Sequence, residues 1–249
     1  MLQVVCMKQV PDPQTRVRVA ADGKSLDGNG VTWVMSPYEE YAFEQALRLK
    51  DALGAGEVVA LSLGGPGVAT MLRTALAVGA DRAVHLRVDA AQPDPLQVAR
   101  ALAEELRELK PALIWFGKKA VDDDQGQVGA MVGELLGLPC VTAVAKVTVA
   151  GDRVSLERET ETGHDQIEAP LPCVITVSDM DELRHASLKG IMAAKKKPLL
   201  EKPAVLGEPT LEVVAMALPP ERAAGRIVGE GAGAVPELVR LLREEAKVL

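Results

Sequence analysis

A doubly wound, mostly parallel α/β sheet with a strand-rich second half and an extended C-terminal arm is predicted by three observations. From Leu2 to Leu138, strand-like apolar runs alternate with stretches of helical period, the rhythm that builds a parallel sheet with helical crossovers. Past Leu138 the pattern changes to alternation with period two, as in Val141–Val149 and Arg153–Glu159, before a buried-type strand at Cys173–Val177. From Pro198 the texture changes again: six prolines fall between there and Pro236, which favours an extended arm over a second core.

The elements follow in order. LQVVCM, Leu2–Met7, is the first buried strand, with Lys8 at its end. Residues 15–20 (TRVRVA) alternate, Asp22-Gly23 supplies a turn, and Val31–Met35 returns, so a hairpin is expected there. Ser36-Pro37 followed by Glu39-Glu40 is a helix start with serine as N-cap. Phe43, Ala46, Leu47 and Leu53 continue that helix. Glu57–Leu63 is a second strand, closed by Gly64-Gly65-Pro66-Gly67 before a helix carrying Ala69, Leu72, Ala75 and Leu76. Arg82–Val88 is a third strand, and Pro95–Leu109 a helix with Ala99, Leu102, Leu106 and Leu109 on one face. The last helix, from Pro236, bears Val235, Leu238, Val239 and Leu242 as an apolar stripe that needs a cover.

Composition narrows the function. The chain has 249 residues, 48% of them hydrophobic but with only two Trp, two Tyr and two Phe, so its core must be Val, Leu and Ala. A net charge of −7 argues against nucleic acid as a partner. Cys6, Cys140 and Cys173 lie far apart with no CxxC, which suggests neither a zinc site nor a disulfide framework. No apolar run is long enough to cross a bilayer, and the N-terminus enters a strand without a basic region or cleavage site. A cytoplasmic chain is expected.

The organising stretch is PALIWFGKKAVDDDQGQVG, Pro111–Gly129. Ala112–Phe116 reads as a strand covered on both faces, Gly117–Asp124 as a polar loop, and a helix is expected near Gln125, capped by Asp122, Asp123 or Asp124. Crossings from strand end to helix start are where open α/β sheets bind nucleotides, because free N–H groups converge there on the positive end of the helix dipole. Lys118 and Lys119 could add phosphate contacts. An ordinary charged loop fits the spacing equally well, since three adjacent carboxylates repel an anion unless they face away. Other motifs carry less. Gly229-x-Gly231-x-x-Ala234 has too little chain after it to complete a dinucleotide-binding unit. His85 sits inside a strand, and no constellation resembles acid–base or nucleophilic catalysis. The chain reads as a binder, not an enzyme, and without a metal.

Arg184–Lys197, RHASLKGIMAAKKK, places five basic residues in 14 positions of an acidic protein. Arg184, Lys195, Lys196 and Lys197 surround Leu188, Ile191 and Met192. The segment is either a solvated basic loop or a docking patch with a leucine anchor.

With those blocks in view, the sequence resembles the beta (small) subunit of electron-transfer flavoproteins. The resemblance runs through VVCMKQVPD, SPYEEYAFEQALRLKD, LRTALAVGADRAVHL, FGKKAVDDDQGQVG and LERETETGHDQIEAPLPCVITV, to ASLKGIMAAKKKP. It departs from common family usage at Pro13 and at Lys189-Gly190. It implies a Rossmann-like, adenine-nucleotide-binding domain (1–197, with a recognition loop at 184–197) and an arm (198–249) embracing an alpha subunit in a heterodimer. The alpha subunit would hold most of the FAD, and this chain would bind AMP structurally. The implied AMP pocket comprises Cys6, Ser36, Pro37, Tyr38, Glu39, Leu63 and the run Gly117, Lys118, Lys119, Ala120, Val121, Asp122, Asp123, Asp124, Gln125, Gly126, Gln127 and Val128. Tyr38 would approach the flavin. Leu188 would anchor dehydrogenases, such as acyl-CoA dehydrogenases, and Glu159 would contact the alpha subunit during domain motion. A quinone oxidoreductase is the implied acceptor. Two alternatives stay open: a bifurcating subunit with a second FAD in place of AMP, or a freestanding adenine-nucleotide-binding stress-type module.

Overall fold

The computed structural model describes residues 1–88, 93–180, 182–221 and 224–249. In chain order the elements are β1 (Leu2–Met7), β2 (Gln9–Pro11), β3 (Trp33–Met35), α1 (Pro37–Leu53), β4 (Glu57–Gly64), α2 (Val68–Val78), β5 (Arg82–Arg87) and α3 (Pro95–Leu109). Next come β6 (Leu113–Gly117), α4 (Val128–Leu136), β7 (Cys140–Ala150), β8 (Arg153–Thr160), β9 (Gly163–Pro170) and β10 (Cys173–Val177). The chain closes with α5 (Leu188–Ala194), β11 (Leu199–Pro203) and α6 (Val235–Glu244).

One nine-stranded sheet has the order β11-β5-β4-β1-β6-β10-β7-β8-β9. Its strands are parallel from β11 to β7, and β8 and β9 add an antiparallel meander. Because strand side chains alternate between faces, the sheet feeds two cores. Val5, Met7, Trp115 and Ile175 pack with Phe43 and Leu47 of α1 and Leu72 and Leu76 of α2. Val4, Cys6, Ile114 and Val174 pack on the other face with Leu102 and Leu106 of α3 and Val132 of α4. The doubly wound, mostly parallel prediction therefore holds, as does the strand-rich second half. Trp115 is fully buried, and its indole N–H donates to Gln3, whose amide donates to the Ala46 carbonyl. The one polar edge of the largest core side chain is thereby satisfied.

Four local expectations are corrected. Residues 15–20 do not pair with 31–35: β3 pairs instead with Gln9–Pro11. Val17 is 44% exposed, so the alternating run has no surface to cover it, and Val19–Leu26 is a single bridge around the Asp22-Gly23 turn. The fourth helix opens at Val128, three residues after Gln125, and no aspartate caps it. Asp124 and Gly126 take left-handed backbone (φ 58° and 59°), which lengthens the loop. Gly163–Pro170 forms a full strand, β9, that hydrophilic composition concealed. Lastly, Leu199–Pro203, within the proline-rich stretch set apart as an arm, pairs in parallel with β5, an edge position where a proline at the strand end forfeits little.

Asp94 pins the start of the tail. It caps α3 in a reciprocal capping box with Gln97, and its second oxygen accepts from the Thr210 hydroxyl and the Leu211 N–H. Burial opposes its charge, but these donors outweigh that and push its pKa down to about 2. A depressed acid stabilises the fold above its ordinary pKa and loses that contribution as pH falls toward 2. Asp94→Ala should cost roughly 1–2 kcal/mol from the cap and render the chain beyond Gly207 newly sensitive to limited proteolysis. A tail cleaved no faster than in the parent would contradict this.

Candidate functional site

Strand order locates the site. The chain steps outward from β1 to β4 and β5, then crosses back through α3 to lay β6 on the other side of β1. Between the carboxyl ends of β1 and β6 lies the switch point at which open α/β sheets leave a crevice. Cys6 stands in the last turn of β1, Gly117 ends β6, and the N-terminus of α1 and the loop 118–127 form the rims.

Gly117 sets how closely the rim of α1 approaches. A Cβ there would fall 2.7 Å from both the carbonyl carbon and the Cβ of Tyr38, and 2.8 Å from the Glu39 nitrogen. Only glycine lets strand and helix start meet at that separation.

Ser36 and Glu39 occupy N-cap and N3 of α1 and have the residue types of a capping box. The box is not made. Ser36 has N-cap backbone, and its carbonyl accepts from the Glu39 and Glu40 N–H groups, but its hydroxyl caps nothing. Among the described residues, Ser36 Oγ and Glu39 Oε2 are buried polar atoms with no well-formed hydrogen bond, in residues 0% and 7% exposed, and the Ser36 hydroxyl lies close enough to Glu39 to act on its charge. Orphaned polar atoms in a core are rare and costly, and here two sit side by side at the switch point. Burial pushes the Glu39 pKa up to about 8, outweighing the Ser36 hydroxyl, the Glu39 N–H and the Lys8 charge, which lower it, while Asp122 adds to the rise. Its carboxyl is therefore mostly neutral at pH 7 and able to donate. Cys6 lies beside it, its thiol raised far above the ordinary range by burial and by Glu39, so it packs and does not react.

An acid whose folded pKa is raised stabilises the fold below its unfolded pKa and progressively less as pH rises to the folded value. For Glu39 the window runs from about 4.5 to about 8. Glu39→Gln should flatten the fall in unfolding free energy across that window, leaving the variant more stable at pH 8 on the order of a few kcal/mol. Parallel pH–stability curves for variant and parent would contradict it.

The loop 118–127 resolves the problem of three adjacent carboxylates. Lys8 Nζ donates to Asp122 and Asp123, at 2.8 Å each, and Lys119 Nζ donates to Asp124 at 2.9 Å. Lys119 also lies 6.0 Å from the centre of the Tyr38 ring. Lys118 is exposed, with no ion pair among the described residues, and its backbone N–H bonds Val177. Each aspartate of the loop is thus paired with a lysine, Asp122 and Asp123 sharing Lys8, which offsets most of the repulsion an anion would meet. Ala120 is buried and Val121–Gln127 are exposed, while Val128 opens α4 without a side-chain cap from Gln127. The first N–H groups of that helix face the loop.

The resemblance implied Cys6, Ser36–Glu39 and Gly117–Val128 as one pocket, and the fold brings these together. Leu63 stands at the end of β4, one strand removed. Lys8 was read as a strand-end residue only, yet it holds the loop closed. His85 is buried inside β5, its ring nitrogen Nε2 hydrogen-bonding the Gly64 carbonyl and Nδ1 without a hydrogen bond among the described residues.

The residues expected to dock a partner lie elsewhere. Leu188 is 83% exposed and Met192 72% exposed on α5, which packs against α2. Glu159 is exposed near the tip of β8, opposite His164. An open depression lined by Asp12, Arg16, Arg18 and Asp27 contains no buried polar group and offers no comparable site. Among the described residues no cluster of His, Cys, Asp and Glu could hold a metal ion, and no helix is long and apolar enough to cross a membrane.

Comparison with known proteins decides the family. Residues 25–205 match the model of the electron transfer flavoprotein domain. The chain belongs to the electron transfer flavoprotein beta-subunit family. It is 38% identical to "Electron transfer flavoprotein subunit beta" of Bacillus subtilis (strain 168) over 256 residues, covering 98% of each chain. It is 39% identical to the protein of that name in Mus musculus, covering 89% of this chain and 90% of that one. With the mitochondrial beta subunit of Oryza sativa subsp. indica it shares 40% identity, covering 99% of each. Membership in the electron transfer flavoprotein family assigns a carrier role.

Proposed function

We propose that this chain is the beta subunit of a heterodimeric electron-transfer flavoprotein, that it holds AMP at the β1–β6 switch point as a structural nucleotide, and that it docks onto dehydrogenases through Leu188. The observation that carries the reading is the orphaned pair Ser36 Oγ and Glu39 Oε2. A hydroxyl and a neutral carboxyl, both buried at the switch point whose other rim carries the start of α4 and Lys118, which has no ion pair among the described residues, suit a ligand with hydroxyls or ring nitrogens at one end and a phosphate at the other. An adenine mononucleotide has that form. Ser36 and Glu39 would hold its polar sugar or base edge, and Lys118 with the start of α4 its phosphate.

FAD, held mainly by the alpha subunit, supplies the electron chemistry of the complex. This chain's part is to order the nucleotide, to present Tyr38 from the beta side, and to seat the carrier on its donor. The exposed stripe of α6, with Val235 52% and Leu238 43% exposed, and the apolar tail before it would be covered by the alpha subunit. Glu159 would touch that subunit, and a quinone oxidoreductase would accept the electrons. Cytoplasmic residence is proposed on the same basis.

The test is mass spectrometry of the nucleotide released on denaturing the complex co-expressed with its alpha subunit. One AMP and one FAD per heterodimer is the expected result. Two FAD and no AMP would replace this reading with a bifurcating subunit, and a chain that purifies alone would replace it with a freestanding module.

A further inference from the structure

The basic segment is not one kind of surface. Arg184 was expected among docking residues, but it is turned inward: Nε donates to Glu44 Oε2 at 2.9 Å, Nη2 to Glu44 Oε1 at 3.2 Å, and Nη1 to Asp51 at 3.0 Å. Its backbone N–H also donates to Glu44, at 3.1 Å. Glu44 is 4% exposed and belongs to α1, so both the main chain and the side chain of Arg184 are tied to the nucleotide-binding body. At the other end, Lys197 Nζ donates to the carbonyls of Leu76 and Ala80, at 3.0 and 2.6 Å, closing the C-terminal end of α2. Arg73 of α2 reaches back to the carbonyls of Ala194 and Lys197, at 2.8 Å each. Between the clasps, a Cβ at Gly190 would collide with the Ala77 carbonyl oxygen, so α5 lies directly on the backbone of α2. By contrast Lys189, Lys195 and Lys196 are exposed and have no ion pair among the described residues.

We propose that Arg184 and Lys197 are positioning residues, two clasps that hold α5 as a preformed platform for the donor, while Lys189, Lys195 and Lys196 alone supply the steering charge. This rests on the docking reading above. A seven-residue helix is too short to persist alone in water. Its anchor side chains therefore point correctly only if the ends are fixed by something else, and the clasps do this before the partner arrives. Pre-ordering removes the conformational cost from association. Steering needs uncompensated charge, which Arg184 lacks because Glu44 and Asp51 neutralise it.

The experiment uses the intact heterodimer with an acyl-CoA dehydrogenase as donor, reading flavin reduction by stopped flow and amide exchange across residues 188–194. Arg184→Gln should fold, because Arg48 still satisfies Glu44 at 2.8 Å. It should raise the half-saturating donor concentration about tenfold by depopulating the competent platform, with the saturated rate unchanged and the salt dependence altered less than in the lysine variant below. Exchange in α5 should quicken about tenfold or more, with β1 and β4 unaffected. Arg184→Lys, which keeps one ionic bond, should fall between variant and parent. The double variant K195Q/K196Q should show the opposite pattern: a flattened dependence of the encounter rate on ionic strength and parental exchange in α5. Parental exchange in R184Q, or a salt dependence flattened as in the lysine variant, overturns the assignment. Failure of the docking reading itself is separable: Leu188→Ala would then leave donor kinetics untouched while R184Q still loosened α5.

Discussion

Gly117→Ala should destabilise the protein by about 3 kcal/mol and empty the proposed nucleotide site. The added carbon would meet the Tyr38 carbonyl carbon and the Glu39 nitrogen at 2.7 and 2.8 Å. Those are backbone atoms at the first turn of a helix whose far side is packed through Phe43 and Leu47, so neither can give way as a flexible side chain would. Overpacking of a filled core costs roughly 1–3 kcal/mol, and the rigidity of both partners places this site at the upper end. Relief must come from moving α1 off β6, which displaces Ser36 and Glu39 together. Urea unfolding and nucleotide content of the purified complex are the two readouts. A shift in midpoint without loss of nucleotide would show that the cleft does not depend on this contact, and a parental midpoint would show that the contact does not constrain the fold.

Leu188→Ala should weaken association with donor dehydrogenases about thirtyfold while leaving stability and bound nucleotide unchanged. The side chain is 83% exposed, so the free protein loses almost nothing by its truncation. A central interface anchor is worth ~2 kcal/mol or more, and that difference corresponds to about thirtyfold in affinity. The separation of effects is the content of the prediction. Stopped-flow reduction by several dehydrogenases, with differential scanning of the free carrier, measures both halves. Unchanged kinetics with all donors would remove α5 from the docking surface.

The sheet was legible because burial on both faces writes long apolar runs. LQVVCM and ALIWF could be little else, and the sheet rule then pointed to the ends of β1 and β6 without side-chain information. The site's internal wiring was not legible. Lys8 meets Asp122 and Asp123 across more than a hundred residues of chain, and no local pattern announces such a pair. Ser36-x-x-Glu39 has the composition of a capping box, yet its atoms stay unpaired, a departure from local rules of the sort that functional sites show. Arg184 was expected among the docking residues because it belongs to a charge run, and its engagement with Glu44 depends on how α1 lies. β9 escaped notice because an edge strand buries few of its side chains, so GHDQIEAP carries little apolar signal.

The most direct test of the central claim is photolabelling of the heterodimer, stripped of nucleotide, with 8-azido-AMP, followed by peptide mapping. Label confined to the segments around Cys6–Lys8, Ser36–Glu39 and Gly117–Val128, and abolished by excess AMP, is the predicted result. Label on the depression lined by Asp12–Thr32, or incorporation that AMP does not displace, would contradict the account.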